Sequence, residues 1–288
     1  MWKDSYLIGN EKIDSQHKEL FKNAEVLLDS LKNIDSPEYK RFFKEYLGFF
    51  KNYVVNHFHD EEEYASSVGY ADLERHRRLH IKLTKEVLSY EKELIASGFA
   101  QPVIKSFLGF LSTWLIYHVA GEDQRIPKAF SAETKVGTAD DFMHEFADKA
   151  IQAIRLILGM PDDDISYKIN SIKYFKPITY FIIDLHGYPE MGVEFAYSRE
   201  FALGVFKGVT GIEQRLVNEI TYSALSELSN ILGTKFADIL TVSGSCCTAG
   251  RPEQSNYGVD ESQITRKILL ITKAGSMEVA IYIKGSKT

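Results

Sequence analysis

A chain of 288 residues, 44% hydrophobic and 26% charged, has room for about two globular domains, and its net charge of −6 gives no pull toward nucleic acid or an anionic membrane surface. No uninterrupted apolar run approaches the roughly 20 residues of a membrane helix, and "MWKDSYLIGNEKIDSQHK" lacks the basic-then-apolar order of a secretory signal. The cysteines, Cys246 and Cys247, are neighbours and make no disulfide framework, so a cytoplasmic location is expected, with both thiols read as small buried hydrophobes of a strand.

In chain order, "SQHKELFKNAEVLLDSLKN" carries Phe21, Ala24, Leu28 and Leu31 at a helical period. "DSPEYKRFFKEYLGFFKNYVVNHFHDEEEYASS" predicts a second helix, with Ser36 as N-cap and Pro37 at the first helical position. "GYADLERHRRLHIKLTKEVLSYEKELIAS" predicts a third, stopped near Gly98, and "QPVIKSFLGFLSTWLIYHVAGED" a fourth, with Pro102 near its start and Gly121 near its end. Four long amphipathic helices joined by short loops predict an up-down antiparallel bundle over residues 1–130.

The polar, aperiodic "SAETKVGTAD", residues 131–140, reads as a linker. One helix follows, "DFMHEFADKAIQAIRLILGM", then the β-rich runs "ISYKINSIKYF", "ITYFIIDLHG" and "MGVEFAYS". Two helical stretches, "REFALGVFKGV" and "EQRLVNEITYSALSELSNILG", precede a hairpin in "RKILLITKAGSMEVAIYIKG" turning at "KAGS". The fold class is therefore multidomain: an all-α four-helix bundle, then an α+β domain over 141–288.

The histidines of the first half fall on the inward stripes. On the second helix the stripe runs Phe42, Tyr46, Phe49, Tyr53, His57, Glu61; on the third, Leu73, His76, His80, Leu83, Val87. On the fourth it runs Phe107, Leu111, Trp114, His118, and on the first His17 continues Phe21, Ala24 and Leu28. One such histidine is ordinarily a hydrogen-bonded core residue. Five imidazoles and two carboxylates in one small core are costly unless they are paired or bind metal, and as seven ligands they suffice for two ions. Imidazole with carboxylate suits iron, zinc and other first-row metals alike, so the donor chemistry does not choose among them. The Glu-x-x-His pairs of ferritin-like bundles are missing.

"IDSQHKELF", "HFHDEEE", "HRRLH" and "WLIYHVAGED" resemble, in order and spacing, the four signature segments of the hemerythrin family, over about residues 1–130. The resemblance implies a di-iron centre, oxo- or hydroxo-bridged. His76, His80 and His118 would hold one iron, His17 and His57 the other, and Glu61 and Asp123 would bridge them. The two-histidine iron would keep a position for O2, which family members bind reversibly without catalysis. Geometry alone prefers Glu122, at i+4 from His118, over Asp123 at i+5; the resemblance prefers Asp123. Tyr64 stands where the family often has Met. His59, Asp60, Glu62 and Glu63 read as solvated, and Trp2 and Trp114 as core.

In the second half, Val217, Ile220, Ala224, Leu228 and Ile231 form a buried stripe. Ser223, Glu227 and Asn230 lie on its flank with Glu219 nearby, so Glu227 and Asn230, at i and i+3, present a carboxylate and an amide together at the surface. "SALSELSNILG", with the segments around it, is similar to the CheX/CheC/FliY phosphatases over about residues 140–285. Those proteins remove the phosphoryl group from the aspartate of CheY-like response regulators. Pro252 stands one position short of that family's usual spacing, and the single E-x-x-N matches CheX rather than CheC. The resemblance implies that Asn230 orients the attacking water, that Glu227 pairs with a lysine of the regulator, that the regulator supplies Mg²⁺, and that the chain is a homodimer.

The whole then reads as an O2- or redox-sensing di-iron protein that dephosphorylates a CheY-like regulator in chemotaxis or two-component signalling. The alternatives are a sensor whose second half only docks the regulator, and a tethered O2 storage or delivery protein.

Overall fold

The computed structural model describes residues 1–36, 38–127, 139–161, 164–171, 173–187, 190–242 and 247–284. Pro37, residues 131–138 of the expected linker and Cys246 lie outside them. The chain divides into two compact units, Met1–Ala132 and Glu133–Thr288.

The first unit consists of α1 (Glu11–Ser30), α2 (Tyr39–Ser67), α3 (Leu73–Ala96) and α4 (Gln101–Tyr117). Each packs on the next, and α1 closes the ring against α4. Local chemistry sets the ends. The Asn10 side chain accepts from Ile13 N at 3.2 Å and caps α1, while Asp14 turns back to accept from Ile8 N and Gly9 N at 2.7 and 3.1 Å. Gly98, at φ +62°, ends α3, and Pro102 fits the first turn of α4, where its missing N–H has no helical partner to lose. The expected cap of α2 differs: the helix opens behind Glu38 without a side-chain cap, and Ser36 contributes only its carbonyl, to Tyr39 N at 3.1 Å.

The buried stripe of α2 is also not the expected one. Phe43, Leu47, Phe50, Val54, His57 and Glu61 face inward, whereas Phe42 and Phe49 are exposed. Paired aromatics at 42/43, 49/50 and the Tyr53–Val54 step offer two parallel stripes. The true one keeps a strict alternation of four- and three-residue steps through His57, the spacing that holds a seam against neighbouring helices. Beyond Tyr117 the helix continues through a π turn, His118–Glu122, and a 3-10 turn, Asp123–Arg125. Among the described residues, Gln101–Arg125 is the stretch long and apolar enough to cross a membrane by length and composition, contrary to the reading of the sequence by uninterrupted runs; it is mostly buried within the fold.

The second unit has α5 (Ala139–Leu158), β1 (Ile165–Ile169), β2 (Thr179–His186), β3 (Met191–Tyr197), α6 (Arg199–Thr210), α7 (Glu219–Val242), β4 (Thr248–Ala249), β5 (Glu253–Ser255), β6 (Ile264–Thr272) and β7 (Gly275–Ile283). The antiparallel sheet has the order β1-β6-β7-β3-β2-β4, with β5 also on β2. Register aligns Phe181, Phe195, Val279 and Ile268 across four strands as one buried row. In the neighbouring row Tyr197 bonds through its hydroxyl to Ser229 of α7 at 2.7 Å, so this face carries the helices. Accordingly α5 packs on β1 and β6, α6 on β7, and α7 on β2. Ser198 caps α6 by accepting from Phe201 N and Ser276 N, tying helix to sheet. The β6–β7 hairpin turns at Lys273–Ala274, with Gly275 at φ +116°. The expected buried strand thiol is corrected for Cys247, which is half-buried in the segment before β4.

Candidate metal centre and a carboxylate–amide pair

All five histidines and both carboxylates assigned by sequence converge toward the end of the bundle where α1 and α3 begin and α4 finishes, each 3% exposed or less. They form two groups sharing a carboxylate: Glu61 with His76, His80 and His118, and Glu61 with His17 and His57. Glu61 straddles them. Its Oε1 faces His76 and His80 Nε2 (2.5 and 3.7 Å), and its Oε2 faces His57 and His17 Nε2 (3.1 and 3.7 Å). Asp123 does the same, with Oδ1 toward His118 and His76 (3.0 and 3.6 Å) and Oδ2 toward His17 (3.2 Å). His80 and His118 bring their Nε2 atoms to 3.0 Å.

Asp123 reaches this position because the π turn winds one extra residue between it and His118, turning an i+5 step back onto one face. Glu122, favoured by regular helical spacing, instead accepts from Arg75, Arg125 and Tyr117 outside the cluster.

The electrostatics are those of a site arranged for cations. Burial would raise Glu61, but close contacts with His17, His57 and His76 hold it well below the usual carboxylate range. Asp123 is pushed up to about 7, by burial first and then by the charge of Glu61. Burial lowers His17, yet Asp123 and Glu61 outweigh it and carry the ring up to about 9. Burial lowers His57, His80 and, most strongly, His118, where His76 and His80 add repulsion, so these rings are poised neutral for ligation. Among the described buried atoms, His17 Nε2, Glu61 Oε2 and both oxygens of Asp123 make no hydrogen bond. Buried polar atoms that converge without bonding one another are the donor pattern of a metal centre. The donor set fits two first-row metal ions.

Outer partners orient the rings, and sequence reasoning missed them. Gln16 Oε1 lies 3.1 Å from His57 Nδ1, and its amide donates to Asp60 at 2.7 Å. Glu62 meets His80 Nδ1 at 2.9 Å. Asp60 and Glu62, expected in solvent, are thus engaged; His59 and Glu63 are exposed and pair with each other at 3.4 Å. The signal available was the placement of Gln16 and Glu62 directly beside His17 and Glu61 in sequence. Phe58 stacks on His80 at 3.8 Å and Trp114 on His118 at 4.2 Å. Trp114, read as core, also lines an apolar cavity of ≈ 10 Å³ together with His57, His118, Leu20, Val54 and Leu111, room for one water-sized occupant. Trp2 packs on Tyr6 and Phe21 instead, and Tyr64 packs against the Ala65–Tyr70–Ile126 cluster.

In the second unit Glu227 and Asn230 sit one turn apart on α7, and the Asn230 amide donates to Glu227 Oε2 at 3.1 Å. Glu227 is not at the surface as expected: it is 6% exposed, because α7 packs against α5, α6 and β2 and leaves only a narrow outer flank. Asn230 is half-buried, as is Pro252 between β4 and β5.

The family model described as Hemerythrin HHE cation binding domain matches residues 8–129. A bacteriohemerythrin of Clostridium acetobutylicum is 31% identical over 124 residues, 43% of this chain and 95% of that protein. A myohemerythrin of Theromyzon tessulatum is 28% identical over 122 residues, 42% of this chain and 86% of its own length. Among solved structures, the chemotaxis protein CheX of Vibrio vulnificus is similar over 50% of this chain and 99% of its own, at 14% identity and a TM-score of 0.43. A CheX of Borrelia burgdorferi, crystallised as a CheX–CheY–BeF3–Mg²⁺ complex, covers 50% of this chain and 99% of its own, at 22% identity and a TM-score of 0.41.

Proposed function

Because the chain belongs to the hemerythrin family through its first unit, we propose that this unit is a di-iron O2 sensor and that the second unit dephosphorylates a CheY-like response regulator. The observation that carries the first half is the sharing of Glu61 and Asp123 between a three-histidine and a two-histidine group. When bound, the two irons would supply reversible O2 binding. The protein's own part is to hold His76, His80 and His118 on one side and His17 and His57 on the other, to keep His57, His80 and His118 neutral, and to exclude bulk water. The ≈ 10 Å³ cavity beside His57 and His118 gives a small apolar ligand a place to sit.

For the second half, acyl-phosphate hydrolysis needs a placed water and neutralised charge rather than covalent catalysis. Asn230 would orient that water in line; its oxygen bonds phosphorus as the bond to the regulator's aspartate breaks, releasing inorganic phosphate. Glu227 would pair with a lysine of the regulator, which brings its own Mg²⁺. A docking-only second unit is favoured by one observation: Glu227 is nearly buried and already engages the Asn230 amide, so the pair must open to act.

The test is single-turnover dephosphorylation of a CheY-type regulator, run anaerobically with reduced protein and again after O2, with Asn230→Ala as control. The proposal expects acceleration that depends on O2 and disappears in the variant. Binding without acceleration in either state would leave a sensor with a docking domain.

A further inference from the structure

Two adjacent acids, Glu122 and Asp123, compete for one position beside His118. A regular helix presents residue i+4, which is Glu122; the π turn presents Asp123. π turns are rare, so something must select the longer register here. Glu122 is 2% exposed, and donors meet both of its oxygens. Tyr117 donates to Oε1 at 3.0 Å, while Arg75 and, at 3.3 Å, Arg125 donate to Oε2. Asp72 joins the two arginines, at 3.6 Å from Arg75 and 3.0 Å from Arg125. The network therefore fastens the π turn to α3, and Arg75 directly precedes the cluster residue His76.

We infer that Glu122 is a positioning residue: fastened by Arg75, Arg125 and Tyr117, it holds the turn in the π register that makes Asp123, and not Glu122, the second shared carboxylate. For Glu122 to rotate toward the imidazoles it would have to leave two half-buried guanidinium groups without their carboxylate, which is strongly unfavourable. The four charges Asp72, Arg75, Glu122 and Arg125 sum to zero, so the network brings no net charge to the neighbourhood of the metal cluster.

This inference rests on the metal-centre reading, and its test separates the two. The full chain is loaded anaerobically with ferrous iron, and iron per chain and the rate of iron loss to a chelator are measured, with helicity by circular dichroism as the folding control. The unsubstituted chain is expected to hold two irons; a chain that holds none overturns the metal-centre reading itself and this inference with it. Glu122→Gln should keep two irons but lose them about 10- to 100-fold faster, the usual effect of removing an outer partner of a metal ligand. Tyr117→Phe, which removes one donor and leaves the charges intact, should show a smaller acceleration. Asp123→Ala should hold less iron, and combining it with Arg75→Met and Arg125→Met should restore iron, because the freed Glu122 can then turn inward. A fall in Glu122→Gln to the iron content of Asp123→Ala would make Glu122 a ligand and overturn the assignment. So would an unchanged rate of loss in Glu122→Gln, or no restoration of iron in the triple variant.

Discussion

Asp123 Oδ1 lies 3.0 Å from His118 Nε2 although the two residues are five apart, because the π turn rather than an α turn separates them. The same placement sets Asp123 against Glu61 in a buried core, and after burial itself the resulting repulsion helps push its carboxyl up to about 7.

Asp123→Asn should therefore have opposite effects on the two states of the protein. It keeps the shape and removes the repulsion, so the metal-free chain should melt a few degrees higher, consistent with a gain of about 1 kcal/mol. The iron-loaded chain should lose metal, since an amide is a poor bridging ligand. Melting curves with and without chelator, together with iron content, check this; a variant that is less stable without metal would contradict it.

The metal-free cluster should also weaken as pH rises. His17 is raised from 6.5 to about 9, so its stabilisation is complete below 6.5 and is lost as pH rises through 9. Asp123 is raised from 3.8 to about 7, so its share is lost as pH rises through 7. Depressed His57, His80 and His118 act below their ordinary value of 6.5, and the window above it belongs to His17, to Asp123 up to about 7, and to His76, whose burial is outweighed by the contact with Glu61 that raises it. Metal must displace the same protons, so its stabilisation grows over that window. The gap in Tm between iron-loaded and chelated protein should widen from pH 6.5 to 9, by roughly 1 kcal/mol per pH unit for each proton that the metal displaces. A constant gap would mean that none of these groups carries a proton in the metal-free fold.

Much of the metal centre was legible because its ligands are spaced at helical intervals: His76 and His80 differ by one turn, as do His57 and Glu61. The stripe of α2 was misread because Phe42 and Phe43, then Phe49 and Phe50, are chemically equivalent, and only the continuous phase through His57 separates them. The π turn could not be read from sequence, since an extra residue in a turn leaves no mark in hydrophobic period. Gln16 and Glu62 were hidden for another reason: a polar residue one position from a ligand looks like the solvated flank of the same helix. In the second unit the long strands alternate or run apolar and were visible, whereas β4 and β5 span two and three residues and carry no period. Glu227 was placed outside because helical geometry gives a direction, not the depth to which α5, α6 and β2 enclose it.

Gln16 and Glu62 orient His57 and His80 through their Nδ1 atoms, leaving Nε2 aimed at the cluster. Gln16→Ala and Glu62→Ala should each weaken iron binding by about 10- to 100-fold while the helical signal stays intact. The two act on opposite groups, so Gln16→Ala should loosen the iron held by two histidines first, and Glu62→Ala the one held by three. Stepwise chelation followed by absorption spectroscopy separates these. Identical loss curves would show that orientation at Nδ1 is not what holds the rings.

Gly208, on α6, reports on the second unit alone. A Cβ there would stand 1.9 Å from the carbonyl oxygen of Ile157, on the backbone of α5, and no side-chain rotation relieves a clash with backbone. Gly208→Ala must push α5 and α6 apart, opening the contact of α5 with β1 and β6. Overpacking of this kind costs about 1–3 kcal/mol, and a backbone clash belongs at the upper end. In a unit of this size the corresponding fall in melting temperature is several degrees. The metal centre lies in the other compact unit, so iron content should not change. Differential scanning calorimetry resolves the two transitions. A lowered second-unit transition with an unshifted iron-dependent one is the expected result, and an unchanged second-unit transition would mean that α5 and α6 have room to separate at no cost.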